Sequence, residues 1–300
     1  MEKKTEKISI VGSGFMGTQI AMRAALYGYP VRLHDLQAAV LESAKKSVDF
    51  FIPAHCQQAG APDRAPEIIS RISFTGSLEE AVADADLVIE AITESILAKR
   101  EIFAQIEKWV RADTIIGTNS SSIPVSKIDT VLNRRQRALN IHFSSPIERL
   151  YYVEVMRGSA TDDEALRRSV EWVKGIGCLP LVNKKECIGF VFNRVWHAAR
   201  RDALKAWAEG YADLRDIDRA WMLFTGMPMG PFGIMDYIGL DVVYSVQKMY
   251  FDETGDPGTM PPQALKEMVD RGDLGMKSGQ GFYSWPQPEF LTPEFLGKKR

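Results

Sequence analysis

The sequence predicts an α/β chain: a doubly wound, mainly parallel sheet, followed by an all-helical C-terminal domain. Three observations carry this. Short apolar segments alternate with helical patterns from residue 7 to residue 182. A glycine-rich turn joins the first apolar segment to the first helical one, the place where such a sheet binds its ligand. After Ile188-Gly189 the strand signal stops and long helical stretches take over. The boundary is expected near Glu186, which gives domains 1–186 and 187–300.

Residues 7–36 read KISIVGSGFMGTQIAMRAALYGYPVRLHDL. Ile8, Ile10 and Val11 form a strand that runs into Gly12-Ser13-Gly14-Phe15-Met16-Gly17. Gly12 allows the tight turn, Gly14 lets a pyrophosphate approach the backbone, and Gly17 lets the helix pack close to the strand. The helix that follows carries Ile20, Ala21, Ala24, Ala25 and Leu26 on one face, and Gly28 and Pro30 stop it. Its N-terminus offers unpaired N–H groups and a positive dipole end to phosphates. A second strand, with Val31 and Leu33, ends at Asp35, 18 residues after Gly17. A carboxylate there accepts from both ribose hydroxyls and repels the extra phosphate of NADP, so the cofactor is read as NAD in a Rossmann-type domain. Arg32 and His34 are near, but neither sits just after the strand end.

Residues 36–70 read as mainly helical, with Leu41, Ala44, Val48 and Phe51 at helical spacing and breaks at Ile52-Pro53 and around Gly60. Residues 71–74 form a short strand, 78–83 a short helix, and 86–92 a buried parallel strand. A helix over 97–110 places Ile102, Phe103, Ile106 and Trp109 on one face. Residues 114–118 form a strand that ends in a serine run, Ser120-Ser121-Ser122, and 123–132 are helical in part. Strands follow at 138–143 and 152–156, then a helix over 162–174 and a closing strand at 178–182. The second domain begins with a helix over 190–209 and a second over 214–223 capped by Asp213. A break at 226–231 precedes a helix over 240–250, and 275–283 is a turn and short extended piece.

Composition narrows the function. The 300 residues are 45% hydrophobic and 25% charged, ordinary for a soluble globular chain of about two domains. A net charge of −2 provides no field for nucleic acid or membranes, and Lys298-Lys299-Arg300 reads as a solvated tail. Cys56, Cys178 and Cys187 are odd in number and form no C-x-x-C pair, which suits reduced thiols in a cytoplasm. No signal peptide or apolar run of membrane length is read. The four histidines show no metal-ligand spacing, and no Ser/His/Asp order stands out. Met227, Met229, Phe232, Met235 and Tyr237 read as core or dimer interface.

The polar residues of interest fall at strand ends. His142 ends an apolar strand and Glu154 follows twelve residues later on the next. An imidazole held by a carboxylate is a general acid/base with a fixed tautomer, although on spacing alone a structural histidine beside a strand-end acid is the better reading. Ser121 suits a substrate oxygen or a helix N-cap. Asn193 opens the second domain and suits either a cleft-facing amide or a cap.

Taken in order, GSGFMG, DADLVIEAITE, TNSSSIPVSKI, IHFSSP followed by VEV, GFVFNR, GMPMGPFGIMDYIGLD and GMKSGQGFY resemble the L-3-hydroxyacyl-CoA dehydrogenase family, most closely its short-chain 3-hydroxybutyryl-CoA members. The resemblance runs from Ile8 to Tyr283. It implies hydride transfer between C3 of a 3-hydroxyacyl group and NAD, as in fatty acid metabolism. His142 would be the base, Glu154 its orienting partner, and Ser121 and Asn193 the groups on the substrate oxygen. Glu94, Lys99 and Lys277 would help hold the cofactor, with the glycine turn and Asp35, and the helical domain would form a homodimer.

Two departures bear on specificity. Ser144-Ser145 stands where the family has Phe-Asn; Ser145 is shorter than the asparagine, so a hydrogen bond near the nicotinamide is expected to be lost or to pass through water. Phe51 and Gln58 stand where the family offers a serine and a lysine to CoA, and only Lys45 and Lys46 lie near. The same chemistry on a free 3-hydroxy acid or another small alcohol is therefore the second reading, and a non-catalytic NAD-binding protein the third.

Overall fold

The computed structural model describes residues 6–297, so residues 298–300, read above as a solvated tail, lie outside it. The chain divides into two compact units, 1–191 and 192–300.

The first unit is an eight-stranded sheet. Its strands are β1 (Ile8–Val11), β2 (Val31–His34), β3 (Ile72–Thr75), β4 (Leu87–Glu90), β5 (Ile115–Thr118), β6 (Ala138–Phe143), β7 (Tyr152–Arg157) and β8 (Leu179–Asn183). They lie in the order β3-β2-β1-β4-β5-β6-β7-β8. β2 and β4 flank β1, so the winding reverses there and leaves a crevice at the carboxyl ends. Every pairing is parallel except β6 with β7. The eight residues between those two strands are too few for a crossover, so the chain must turn straight back.

Helices α1 (Phe15–Leu26), α2 (Ala38–Gln58), α3 (Ala65–Ser70), α4 (Leu78–Val82), α5 (Ile96–Trp109) and α6 (Asp163–Gly175) cover the sheet. Successive strand residues point to opposite faces, and two cores result. Ile8, Ile10, Leu33 and Ile89 pack with Ile20, Val48 and Trp172, while Val11, Val88 and Ile116 pack with Phe103 and Ile106.

Two helix expectations need correction. α2 does not break at Pro53; it runs through to Gln58. The proline removes one backbone donor, and the burial of Ile52 and Cys56 on either side holds the helix together. The buried stripe is Ala44, Val48, Ile52 and Cys56, whereas Phe51 is turned outward and 54% exposed. On α5 the buried stripe is Ile102, Phe103 and Ile106, and Trp109 at the helix end is 45% exposed.

The second unit holds α7 (Phe192–Ala208), α8 (Leu214–Thr225), α9 (Pro231–Ile238), α10 (Leu240–Thr254) and α11 (Gln263–Arg271). Asp213 caps α8 as expected, its side chain accepting from the Arg215 N–H. α9 and α11 add to the expected helices. Phe232 and Met235 are core, whereas Met227 and Tyr237 are exposed. Two buried carboxylates organise this unit. Asp218 accepts from the Phe232 and Gly233 N–H groups and from the Tyr283 hydroxyl. Asp236 accepts from the Phe282 and Tyr283 N–H groups and the Trp285 indole. The glycines of the GMPMGPFG and GQGFY blocks make room for these carboxylates: a Cβ at Gly230 would fall 2.3 Å from Asp218, and one at Gly281 would fall 2.3 Å from Asp236.

Two buried groups of this unit titrate in opposite senses. Burial, with Arg200 and Arg201 nearby, pushes His197 down to about 4. Its ring stacks 3.8 Å from Tyr250, and Nδ1 lies 3.0 Å from Arg200. A lowered histidine withdraws stability as pH falls from its unfolded value toward 4. Burial pushes Asp218 up to about 6, against its hydrogen bonds, so it withdraws stability as pH rises toward and past 6. The two cancel in part. His197→Phe is expected to expose the Asp218 slope: its urea midpoint should rise on going from pH 7 to pH 5 relative to the wild type, and parallel profiles would contradict this.

Candidate active site

The glycine turn has the shape a dinucleotide requires. Gly12 is left-handed, φ +106°, and a Cβ on it would lie 2.6 Å from the Ala91 carbonyl oxygen. A Cβ on Gly17 would lie 1.9 Å from the Gly12 oxygen, so only glycine lets α1 approach β1 this closely. A Cβ on Gly14 would meet nothing within 4 Å: the space in front of the turn is open. α1 begins there with no side chain capping its N-terminus, which leaves its first N–H groups for an anion. Phe15 is 71% exposed at the first turn, and Met16 packs partly against the core.

Asp35 directly follows β2. Its Oδ2 accepts from the Ser13 N–H at 2.9 Å and its Oδ1 from the Gln37 N–H at 3.0 Å. It lines a cleft of about 450 Å³ with Gly12, Gly14, Val40, Ala91 and Ile92. Arg32 is paired with Asp84, and burial holds the His34 imidazole below its ordinary pKa, with Nδ1 against the Thr75 carbonyl. Beside Asp35 the cleft therefore offers a ribose phosphate a neutral imidazole, and the guanidinium is already engaged. Open backbone, free helix amides and a placed carboxylate fit NAD.

Beyond β4 and β5 lies a polar cluster. Glu94 Oε1 accepts from the Ser120 hydroxyl at 2.5 Å, the Ser122 N–H at 3.1 Å and the Ser122 hydroxyl at 2.7 Å. Burial works to raise its pKa, but these bonds and the Lys99 ammonium outweigh that and hold the carboxyl below its usual range. Ser121, between its two bonded neighbours, is exposed. Lys99 is 1% exposed, with Nζ 2.8 Å from Glu90 and 3.3 Å from Glu94. Its charge is taken up by these two carboxylates.

β6 and β7 place His142 directly opposite Glu154. His142 Nδ1 lies 3.0 Å from Glu154 Oε2, and the two are 6% and 0% exposed. With Nδ1–H donating to the carboxylate, Nε2 carries the lone pair. The second oxygen, Oε1, accepts from the Val191 N–H at 2.8 Å. The Phe190 ring stacks on the imidazole, with centroids 4.8 Å apart and planes 25° apart. The expected helix start at Phe190 is corrected: Phe190 is left-handed and the helix begins at Phe192, so Phe190 and Val191, known in advance only as part of the GFVFNR block, belong to the turn that meets the His142–Glu154 pair. Asn119, at the end of β5, accepts from the Phe143 N–H at 2.9 Å and steadies the strand end. Ser145 meets the Gln19 amide at 3.4 Å, and Gln19 in turn accepts from the Ile147 N–H.

The remaining residues lie in the second unit. Asn193 is in the first turn of α7, and Lys277 pairs with Asp241.

A further groove of about 470 Å³ opens between α1 and α2, lined by Phe15, Met22, Ser43, Phe51, Pro146 and Glu148 among others. Its only charged lining group is the Glu148 carboxylate. Among the described residues no helix is long and apolar enough to cross a membrane, and no cluster of three metal-ligating side chains occurs.

Comparison with known proteins places the whole chain in one family. Residues 7–187 match the family described as 3-hydroxyacyl-CoA dehydrogenase, NAD binding domain, and residues 189–285 match 3-hydroxyacyl-CoA dehydrogenase, C-terminal domain. A probable 3-hydroxybutyryl-CoA dehydrogenase of Deinococcus radiodurans is 34% identical over 93% of this chain and 100% of its own length. The structure of (S)-3-hydroxybutyryl-CoA dehydrogenase PaaH1 from Ralstonia eutropha superposes with a TM-score of 0.88 at 30% identity, over 95% of this chain and 100% of that one. A diketoreductase of dicarbonyl compounds superposes with a TM-score of 0.84 at 31% identity, over 94% and 100%.

Proposed function

Because the chain belongs to the 3-hydroxyacyl-CoA dehydrogenase family, an NAD-dependent oxidoreductase family, we propose that it interconverts short-chain (S)-3-hydroxyacyl-CoA and 3-oxoacyl-CoA, with His142 as the acid/base. The 3.0 Å contact between His142 and Glu154 carries this reading. Nicotinamide, when bound, supplies the hydride acceptor. His142 Nε2 takes the proton of the C3 hydroxyl, or returns it in the reverse direction. Glu154 holds the imidazole in the correct tautomer and stabilises the imidazolium. Ser121, exposed beside the Glu94 cluster, donates to the substrate oxygen. Asn193 as the second donor, and Lys277 as a cofactor contact, rest on the family motifs alone.

The glycine turn, Asp35 and Glu94 hold the cofactor, and Lys99 acts through Glu94. Asp35→Ser is expected to weaken NADH binding about tenfold, the worth of one or two charge-assisted hydrogen bonds, and to narrow the preference over NADPH. Fluorescence titration with both nucleotides checks this; an unchanged ratio of the two affinities would remove Asp35 from the ribose. The substrate assignment is tested with NAD and the two enantiomers of 3-hydroxybutyryl-CoA. Oxidation of the (S) form alone is expected; equal rates, or none on either, would reject it.

One observation favours a second reading, the same chemistry on a free 3-hydroxy acid. Phosphates are held by Arg or Lys, whereas the groove beside Phe51 offers hydroxyls, apolar walls and one carboxylate. Faster turnover of acetoacetate than of acetoacetyl-CoA would establish it.

A further inference from the structure

We infer that Phe190 is a positioning residue for the His142–Glu154 pair, and that its left-handed backbone is the device that aims it. The inference rests on the proposed role of His142.

Gly189 and Phe190 are consecutive left-handed residues, at φ +77° and +53°. Glycine adopts this conformation freely, but a phenylalanine does so only against steric resistance. Among the described residues, Phe190 is the one non-glycine with positive φ. Such strain persists where the surroundings over-determine it, and here they can be named. The ring is 1% exposed and lies flat on His142. The next N–H, of Val191, donates to the Glu154 oxygen that His142 does not use. Ring and N–H issue from one reversal of the chain, so a single backbone feature orients both members of the pair.

The turn is anchored behind. The Phe190 carbonyl accepts from the Cys187 thiol at 3.2 Å, and the Cys187 N–H meets Met156 Sδ at 3.3 Å. Met156 lies two residues beyond Glu154 on β7, so the turn and the carboxylate share one strand. Physically, the stacked ring closes one face of the imidazole and prevents it from tilting, while the Val191 N–H stops the carboxylate from rotating away. Proton transfer is sensitive to such alignment: a misplacement of about 1 Å lowers rates on the order of a hundredfold.

The experiment compares Phe190→Gly, Phe190→Leu and Phe190→Tyr in wild-type and His142→Gln backgrounds. Glycine keeps the left-handed turn and deletes the ring. Phe190→Gly should lower kcat about 10- to 100-fold, with KM and NADH affinity within about twofold, and Phe190→Tyr should recover most of the loss. In the His142→Gln background the same change should cost little more, because the ring acts through the imidazole. Equal losses in both backgrounds, or a folded Phe190→Gly with kcat within twofold of wild type, would overturn the inference. If the glycine variant does not fold, Phe190→Leu is held to the same two criteria. If His142→Gln itself turns over normally, the proposed role of His142 fails instead.

Discussion

His142→Gln is expected to lower kcat on 3-oxoacyl substrate by about 10²–10⁴-fold, the usual worth of a positioned acid/base, with NADH affinity within about twofold. Glutamine can still fill the space under Phe190 and hydrogen-bond Glu154, so packing is largely preserved. It cannot take up a proton. The cofactor groups, Gly12 to Gly17 and Asp35, lie on other elements and should be unaffected. Stopped-flow single-turnover rates together with NADH titration separate the two effects. Near-normal turnover would remove His142 from the mechanism, and a parallel loss of NADH binding would recast it as structural.

The second large effect concerns stability. Lys99→Met is expected to destabilise the first unit by about 3–5 kcal/mol, measured by urea unfolding, because it strands a buried charge. Lys99 and Glu90 are both fully buried, 2.8 Å apart. Glu90 is also hydrogen-bonded by the Ile92 N–H and the Thr118 hydroxyl, so it is held in place and cannot swing to solvent. Lys99→Met with Glu90→Gln should recover part of the loss, since no charge is then left unpaired. NADH binding should weaken in the single variant, because Glu94 loses the ammonium that helps keep it ionised. A loss below 1 kcal/mol would show that water reaches Glu90.

These two residues also mark what the chain reveals in advance. The apolar runs at 138–143 and 152–156 become β6 and β7 almost residue for residue, so the His142–Glu154 spacing could be interpreted. The glycine turn and Asp35 were equally legible, because each glycine answers a local steric demand. Lys99 was legible only as part of a motif. That its ammonium is buried against Glu90 depends on how the chain returns from the end of β4 into α5, which the residue pattern does not encode. α2 misled because tertiary burial of Ile52 and Cys56 overrides the local cost of Pro53. α9 carried a start signal, Gly230 before Pro231, that was read only as a break. Phe190 was hidden for a deeper reason: a left-handed φ at a bulky residue contradicts its propensity, so strain of this kind appears only in the folded chain.

The proposed activity is reduction of a 3-oxoacyl thioester of coenzyme A. The most direct measurement is the initial rate of NADH oxidation with acetoacetyl-CoA, run beside free acetoacetate at the same concentrations. Rapid oxidation with the CoA ester, and little with the free acid, is the predicted result. Turnover of the free acid with none of the ester would contradict the claim and assign the groove beside Phe51 to a substrate without phosphates.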